Sequence, residues 1–267
     1  SDEPIWSLPE SWQDKKINLL GVIVLNGKLF SYWQLENDGI YAVVMPAIKQ
    51  LLDWKANVSF LSLSRIKENP ILTPISGHFW ESKAVFNTAA IYDEGKVHFV
   101  YRAIGENDTS VLGYASSSDG IHFDDRLKEP VYVHSFSNDK NQKFVANYIS
   151  PYASGGGGYG GCEDPRLTKI GDRMYMTYVF YDGANPPRVA LTSIDAVDFH
   201  HRRWNWEKPV LISPPGVVDK NACILPEKIN GKFVFFHRIF PNILIDFVAD
   251  LDFDGKTKWL PGEFTIK

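Results

Sequence analysis

The residues best equipped for chemistry lie in one short run, Gly161-Cys162-Glu163-Asp164-Pro165-Arg166. Two adjacent carboxylates and a guanidinium flank a proline, a combination that can serve acid catalysis. In a regular strand, neighbouring side chains point to opposite faces. That alternation predicts that Glu163 and Asp164 do not share one site, and that Arg166 shares a face with Asp164. Asp-Pro also starts many turns, so a turn closed by a salt bridge is the plainer reading of the same residues. A carboxyl acting as an acid must hold a proton. Burial would raise the pKa of Asp164, and Arg166 would oppose that shift.

Further polar groups punctuate apolar runs. Asn87 opens NTAAIY, Arg102 follows Tyr101 in HFVYRAI, and Arg188 opens RVALTSI. Lys220 precedes NACILPEKI, and His237-Arg238 interrupts VFFHRIF. Half-buried cations in such runs are costly unless paired or used. They read either as ion pairs between neighbouring elements or as basic groups converging on an anion such as phosphate. Convergence needs a fold that brings strand ends from distant segments to one place.

The chain supplies a repeat of that kind. An apolar run, a glycine-bearing turn, a second apolar and aromatic run, a polar turn and a third apolar run recur near residues 18–54, 84–126, 163–206 and 220–260. The turns include Asn26-Gly27, Asp93-Glu94-Gly95, Gly171-Asp172 and Asn230-Gly231. Asn-Gly between apolar runs is a strong hairpin signal, because both central residues need positive φ. Period-two alternation marks half-buried strands, and only residues 46–54 read as a short helix. Repeated meanders of three or four antiparallel strands predict an all-β chain, a single β-propeller spanning 1–267; a β-sandwich is the alternative. The segment 134–161 breaks the pattern and ends in the glycine run Gly155 to Gly161. It reads as a surface loop or as a flap delivering the acidic run to a cleft. It lacks the Lys-Ser/Thr of a phosphate loop.

Composition narrows the class. The 267 residues are 44% hydrophobic and 22% charged, ordinary for a folded domain. No uninterrupted apolar run approaches the ~18 residues of a membrane span, and a net charge of -4 argues against a broad nucleic-acid surface. Aromatics reach 14%, which suits both β-sheet packing and sugar-binding clefts. Cys162 and Cys223 read as small buried residues rather than a disulfide or zinc pair. His200-His201 reads as a solvated turn, and no metal or other cofactor is expected. No basic and apolar leader opens the sequence, which points to the cytoplasm.

Taken together, NPILTP (69–74), WES (80–82), VFNTAAIYDEGKVHFVYRA, SSSDGIHF, GCEDPR, RVALTSI and KNACILPEKINGKFVFFHR resemble glycoside hydrolase family 130. These are β-mannoside phosphorylases and related β-mannosidases, and the resemblance covers about residues 65–240. It implies a five-bladed propeller and inverting phosphorolysis of β-mannosides to α-mannose 1-phosphate, with inorganic phosphate as co-substrate. It implies that Asp164 is the acid, acting through the sugar 3-hydroxyl. Asn87, Arg102, Glu163 and Arg166 would hold the mannoside, and Arg188, Lys220 and His237 the phosphate, with Arg202 or Arg203 as looser candidates. Oligomers are common in the family. Hydrolytic members need a carboxylate base instead of a cation set, and Glu227 is the residue available for that role. A non-catalytic glycan-binding propeller is a third reading. Five blades at the observed spacing need about 340 residues. Either residues 126–160 form a reduced blade, the chain is a fragment, or another chain completes the ring.

Overall fold

A computed structural model describes residues 17–25, 28–35, 40–45, 64–133 and 160–266. The segment 46–54, read as a helix, and most of the glycine-rich 134–161 segment lie outside these residues. The described chain is almost entirely β, in four successive meanders. The first contains β1 (Ile17–Leu25), β2 (Lys28–Leu35), β3 (Ile40–Met45) and β4 (Ser64–Arg65). The second contains β5 (Ala84–Asp93), β6 (Lys96–Ile104), β7 (Ser110–Ser117) and β8 (Asp125–Arg126). The third contains β9 (Gly161–Ile170), β10 (Arg173–Tyr181), β11 (Arg188–Asp195) and β12 (Val210–Leu211), with a short helix α1 (Ala196–His200) after β11. The fourth contains β13 (Lys220–Ile224), β14 (Phe233–Ile239), β15 (Asn242–Val248) and β16 (Phe264–Ile266).

The hairpins follow the turn chemistry. Glu94 and Gly95 take φ of 45° and 78°, and Asn230 and Gly231 take 50° and 76°, the left-handed pairs that a two-residue turn demands. Within each meander the strands pair antiparallel. The first strands β1, β5, β9 and β13 pack beside one another in sequence order.

The sheets stack face to face, with an apolar core in each gap. Strand β6 shows how. Phe99, Tyr101 and Ala103 face the first sheet, against Phe30, Tyr32 and Ile40. Val100 faces the third, with Leu112, Tyr114, Met176 and Tyr178. A strand sandwiched this way is apolar on both faces, so its sequence reads as a nearly continuous run. A third core, around Val189, Leu191, Ala222 and Phe235, joins the third and fourth sheets. Arg102 has the parity of Val100, so it is aimed into the gap between the second and third sheets.

That gap carries a seam. Ser110 in β7 pairs in parallel with Gly161 in β9, and its N–H donates to the Gly160 carbonyl at 2.8 Å. The second and third meanders thereby become one eight-stranded sheet. Gly161 has φ of 105°, and a Cβ there would lie 2.1 Å from the Ser110 carbonyl oxygen. Only glycine allows this approach.

The adjacent histidines are not a solvated turn. The His200 side chain is largely covered at the end of α1, with Nε2 2.9 Å from Asp93 Oδ2, and its ring packs on His98 and Phe199. His201 is the exposed member, its Nδ1 2.8 Å from the Val197 carbonyl. No helix among the described residues is long and apolar enough to cross a membrane.

Candidate active site

The first strand of each meander contains a bulge. Between Phe86 and Thr88 the β5–β6 register slips by one residue, at Asn87. In β9, Glu163 pairs with Val179 and Arg166 with Thr177, so Asp164 and Pro165 together face Tyr178. In β13, Lys220 pairs with Arg238 and Cys223 with Phe236, so Asn221 and Ala222 face His237. Strand β1 slips between Leu19 and Gly21. At three bulges a left-handed residue turns the backbone, Asn87 (φ 44°), Asp164 (50°) and Asn221 (57°). Asn and Asp bear this conformation better than other non-glycine residues. Proline, which has no N–H to give a ladder, fits beside such a bulge.

The bulges overturn the expectation that Glu163 and Asp164 face apart. One extra residue breaks the alternation, and both carboxylates meet a single guanidinium. Arg102 donates from Nη2 to Glu163 Oε1 at 2.9 Å, from Nη1 to Asp164 Oδ1 at 3.1 Å, and from Nε to Ser110 Oγ at 2.9 Å. Its plane lies 4.7 Å over the Phe86 ring. All three guanidinium nitrogens are engaged, and the side chains of Arg102 and Glu163 are each 1% exposed. Lys220 closes the other side, its Nζ 3.3 Å from Glu163 Oε2. Asn87 donates to Asp164 Oδ1 at 2.5 Å.

Asp164 is the opening of this cluster, with its side chain 15% exposed. Burial pushes its carboxyl up. Arg102, the Asn87 amide and the nearby charge of Arg166 outweigh that and hold it below the usual carboxylate range. Arg166 is half-buried and spends Nη1 on the Pro165 carbonyl at 2.8 Å. Burial lowers its pKa and Asp164 counters this. The cluster thus holds three cations, Arg102, Lys220 and Arg166, against two carboxylates, and it has room for one more negative charge.

Asn87, Arg102, Glu163, Asp164 and Lys220 are therefore brought together, with Arg166 beside them. His237 and Arg188 are placed otherwise. His237 is buried, with Nδ1 2.8 Å from Asp219 Oδ2 and Nε2 2.9 Å from Asp246 Oδ2. Burial disfavours its charge, but the two carboxylates win and raise its pKa to about 9. Both ring nitrogens are taken, so it presents none to a ligand. Arg188 lies at the end of the third sheet that carries Gly161, but two strands outward. It donates from Nε to the Ser213 carbonyl at 2.9 Å and stacks 5.0 Å over Trp259. There it lines a cavity of about 330 Å3 with Phe180, Asp182 and Asn185. Arg202 pairs with Asp125 and Arg203 with Asp198 on the surface. Glu227 is exposed beyond the far end of β13 from Lys220. Cys162 is buried, which pushes its thiol up and leaves it inert.

The sequence reading missed Ser110, Asp219, Asp246 and Asn221. The first three are ordinary polar residues until their partners are known. Asn221 carried a signal: an Asn, like Asn87, at the opening of an apolar strand.

Residues 62–258 match the family model Glyco_hydro_130, described as beta-1,4-mannooligosaccharide phosphorylase. The chain belongs to glycoside hydrolase family 130. Within the family it is 39% identical over 202 residues to a 1,2-beta-oligomannan phosphorylase of Thermoanaerobacter sp. (strain X514), covering 72% of this chain and 58% of that protein. It is 35% identical over 196 residues to a beta-1,2-mannobiose phosphorylase of the same organism, covering 68% and 56%. The chain thus spans a little over half the length of these relatives. A solved member, from a study of family 130 hydrolases that target beta-1,2 mannosidic linkages in Candida mannan, superposes with a TM-score of 0.54 at 26% identity over 75% of this chain and 60% of that one. A thermostable family-43 glycoside hydrolase shares the fold alone, with a TM-score of 0.58 at 11% identity over 90% and 74%.

Proposed function

We propose that this family 130 chain carries the catalytic part of an inverting β-mannoside phosphorylase. The reaction would cleave a β-mannoside with inorganic phosphate and release α-mannose 1-phosphate. The observation that carries the reading is the imbalance around Asp164: one partly open carboxyl, engaged by Asn87 and Arg102, among three cations. An inverting hydrolase needs a second carboxylate about 6.5–9.5 Å from the acid to activate water. Glu163 is spent on Arg102 and Lys220, and Glu227 lies beyond the other end of its strand. A phosphate nucleophile needs cations instead.

In this mechanism Arg102 and Asn87 orient the mannose unit against Asp164. Asp164 supplies a proton to the leaving oxygen, directly or through a sugar hydroxyl, as phosphate attacks the anomeric carbon from the opposite face. The free carboxyl sits low. A phosphate anion entering the same cation field pushes it upward, the direction an acid requires. Phosphate would then both react and prime the acid. No other cofactor enters this scheme. The four stacked meanders, with β1, β5, β9 and β13 side by side, support four blades of a five-bladed propeller whose first strands line the substrate cavity.

The test is turnover of β-1,2- and β-1,4-mannobiose with and without phosphate, and of α-mannose 1-phosphate with sugar acceptors, using Asp164→Asn as control. Phosphate-dependent cleavage that the variant loses is the expected result. Cleavage of equal rate without phosphate would replace the reading by a hydrolase.

A further inference from the structure

The β9 and β13 bulges are alike residue for residue. In each, two residues face one, Asp164 and Pro165 opposite Tyr178, Asn221 and Ala222 opposite His237. The residues flanking them are also matched across the gap between the two sheets. Before the bulge stand Glu163 and Lys220, whose side chains touch at 3.3 Å. After it stand Arg166 and Cys223, close enough that each acts on the other's charge. Thr177, which pairs with Arg166, donates to the Ala222 carbonyl at 2.6 Å. Asn221 is therefore bracketed on both sides by residues that touch the neighbours of Asp164. It is the counterpart of Asp164 in the next sheet.

Two groups here lack the partners their chemistry asks for. Asn221 is exposed, and among the described residues its side-chain amide makes no hydrogen bond. Arg166 is half-buried, yet among the described residues no carboxylate lies within ion-pair distance of it, and the hydrogen bond it makes there goes to a carbonyl of its own strand. A desolvated guanidinium without a direct ion pair is costly, and an amide donor from the neighbouring bulge would complete an anion cradle with it. Lys220, one residue from Asn221, adds charge without being free, since it holds Glu163.

We propose that Asn221 and Arg166 hold the phosphate nucleophile, next to Asp164 and on the side away from Asn87. This rests on the phosphorylase reading and deepens it. Three left-handed bulge residues then divide the work by sheet: Asn87 for the sugar, Asp164 for the proton, Asn221 for the nucleophile.

The experiment compares Asn221→Asp and Asn221→Gly. Aspartate keeps the left-handed backbone and sets a negative charge against phosphate; glycine removes the amide without strain. Steady-state phosphorolysis would be measured with phosphate and mannoside varied separately, alongside the shift in Tm caused by inorganic phosphate. The expected result is a phosphate KM raised about 30-fold or more by aspartate and about 5–10-fold by glycine, in line with losing one charge-assisted contact. The mannoside KM should stay within twofold, and the phosphate-induced Tm shift should vanish in the aspartate variant. If wild type responds to phosphate and both variants keep its phosphate KM and Tm shift, the assignment is overturned while the phosphorylase reading stands. An altered mannoside KM with unchanged phosphate KM overturns it equally. If wild type itself ignores phosphate in turnover and in Tm, the phosphorylase reading falls and takes this proposal with it.

Discussion

Two buried ionic clusters of similar composition lie in neighbouring parts of this protein, and they do opposite things. Around Arg102, two carboxylates share one guanidinium, and a second and third cation stand by with capacity left over. Around His237, two carboxylates share one imidazole, and the rest of the cluster is spent on the chain itself. Asp246 accepts from the N–H groups of Gly262 at 2.8 Å and Glu263 at 2.9 Å, tying down the segment that leads into β16. The side chains of His237, Asp219 and Asp246 are at most 1% exposed. Asp219 Oδ1 is the one atom of that set left unpartnered. The contrast teaches that burial and charge do not themselves mark a site. Surplus cation and an edge open to solvent do.

The sharpest way to break the comparison is to remove the open carboxyl. Asp164→Asn should cut phosphorolysis by roughly 10²–10⁴-fold, the range for losing a general acid, with the cooperative unfolding transition retained. A variant that unfolds instead would make Asp164 a structural member like Asp246. Next in size is Arg102→Met. It strips the guanidinium from buried Glu163, and one-sided loss of a buried ion pair costs about 3–5 kcal/mol, readable in urea denaturation. A loss below about 1 kcal/mol would mean the cluster relaxes into solvent.

The closed cluster should announce itself through pH. The pKa of His237 is raised from 6.5 to about 9. Its stabilising contribution is therefore fully present below pH 6.5 and lost as pH rises through 9. The change amounts to something on the order of 3 kcal/mol by linkage. Denaturation free energies across pH 6–10 should fall accordingly, and the fall should flatten in His237→Gln. The smallest effect expected is at the seam. Gly161→Ala drives a Cβ against the Ser110 carbonyl, and forced shifts of this kind cost about 1–3 kcal/mol. Because Ser110 Oγ also receives Arg102 Nε, kcat should drop with the Tm. A drop in Tm alone would uncouple the seam from the cluster.

Much of this was legible in the sequence. The four meanders follow the alternation and the glycine turns closely, because those signals are local. Asn87, Arg102, Glu163, Asp164 and Lys220 were singled out and do converge. The geometry of their convergence was not legible. Strict alternation sent Glu163 and Asp164 to opposite faces, since a bulge is a tertiary decision made against the partner strand. The proline after Asp164 was the available hint. The placement of His237 between Asp219 and Asp246, and of Arg188 on the Ser213 carbonyl and Trp259, was not legible, because these partners are distant in sequence or chemically ordinary. His200 misled for the same reason, its partner Asp93 being 107 positions away.

The Ser110–Gly161 pairing has a consequence for motion. It stitches the second and third meanders into one sheet, so Arg102 and Asp164 share a strand ladder while Lys220 and Asn221 belong to the next sheet, joined to it chiefly through side chains such as Thr177 and Lys220. Cooperative opening follows such ladders. In hydrogen exchange, β5 to β11 should protect and release their amides together, and β13 to β15 should do so at a separate, lower free energy. Breathing at that boundary would widen or narrow the gap between the proton donor and the fourth sheet while leaving the grip of Arg102 on Asp164 untouched.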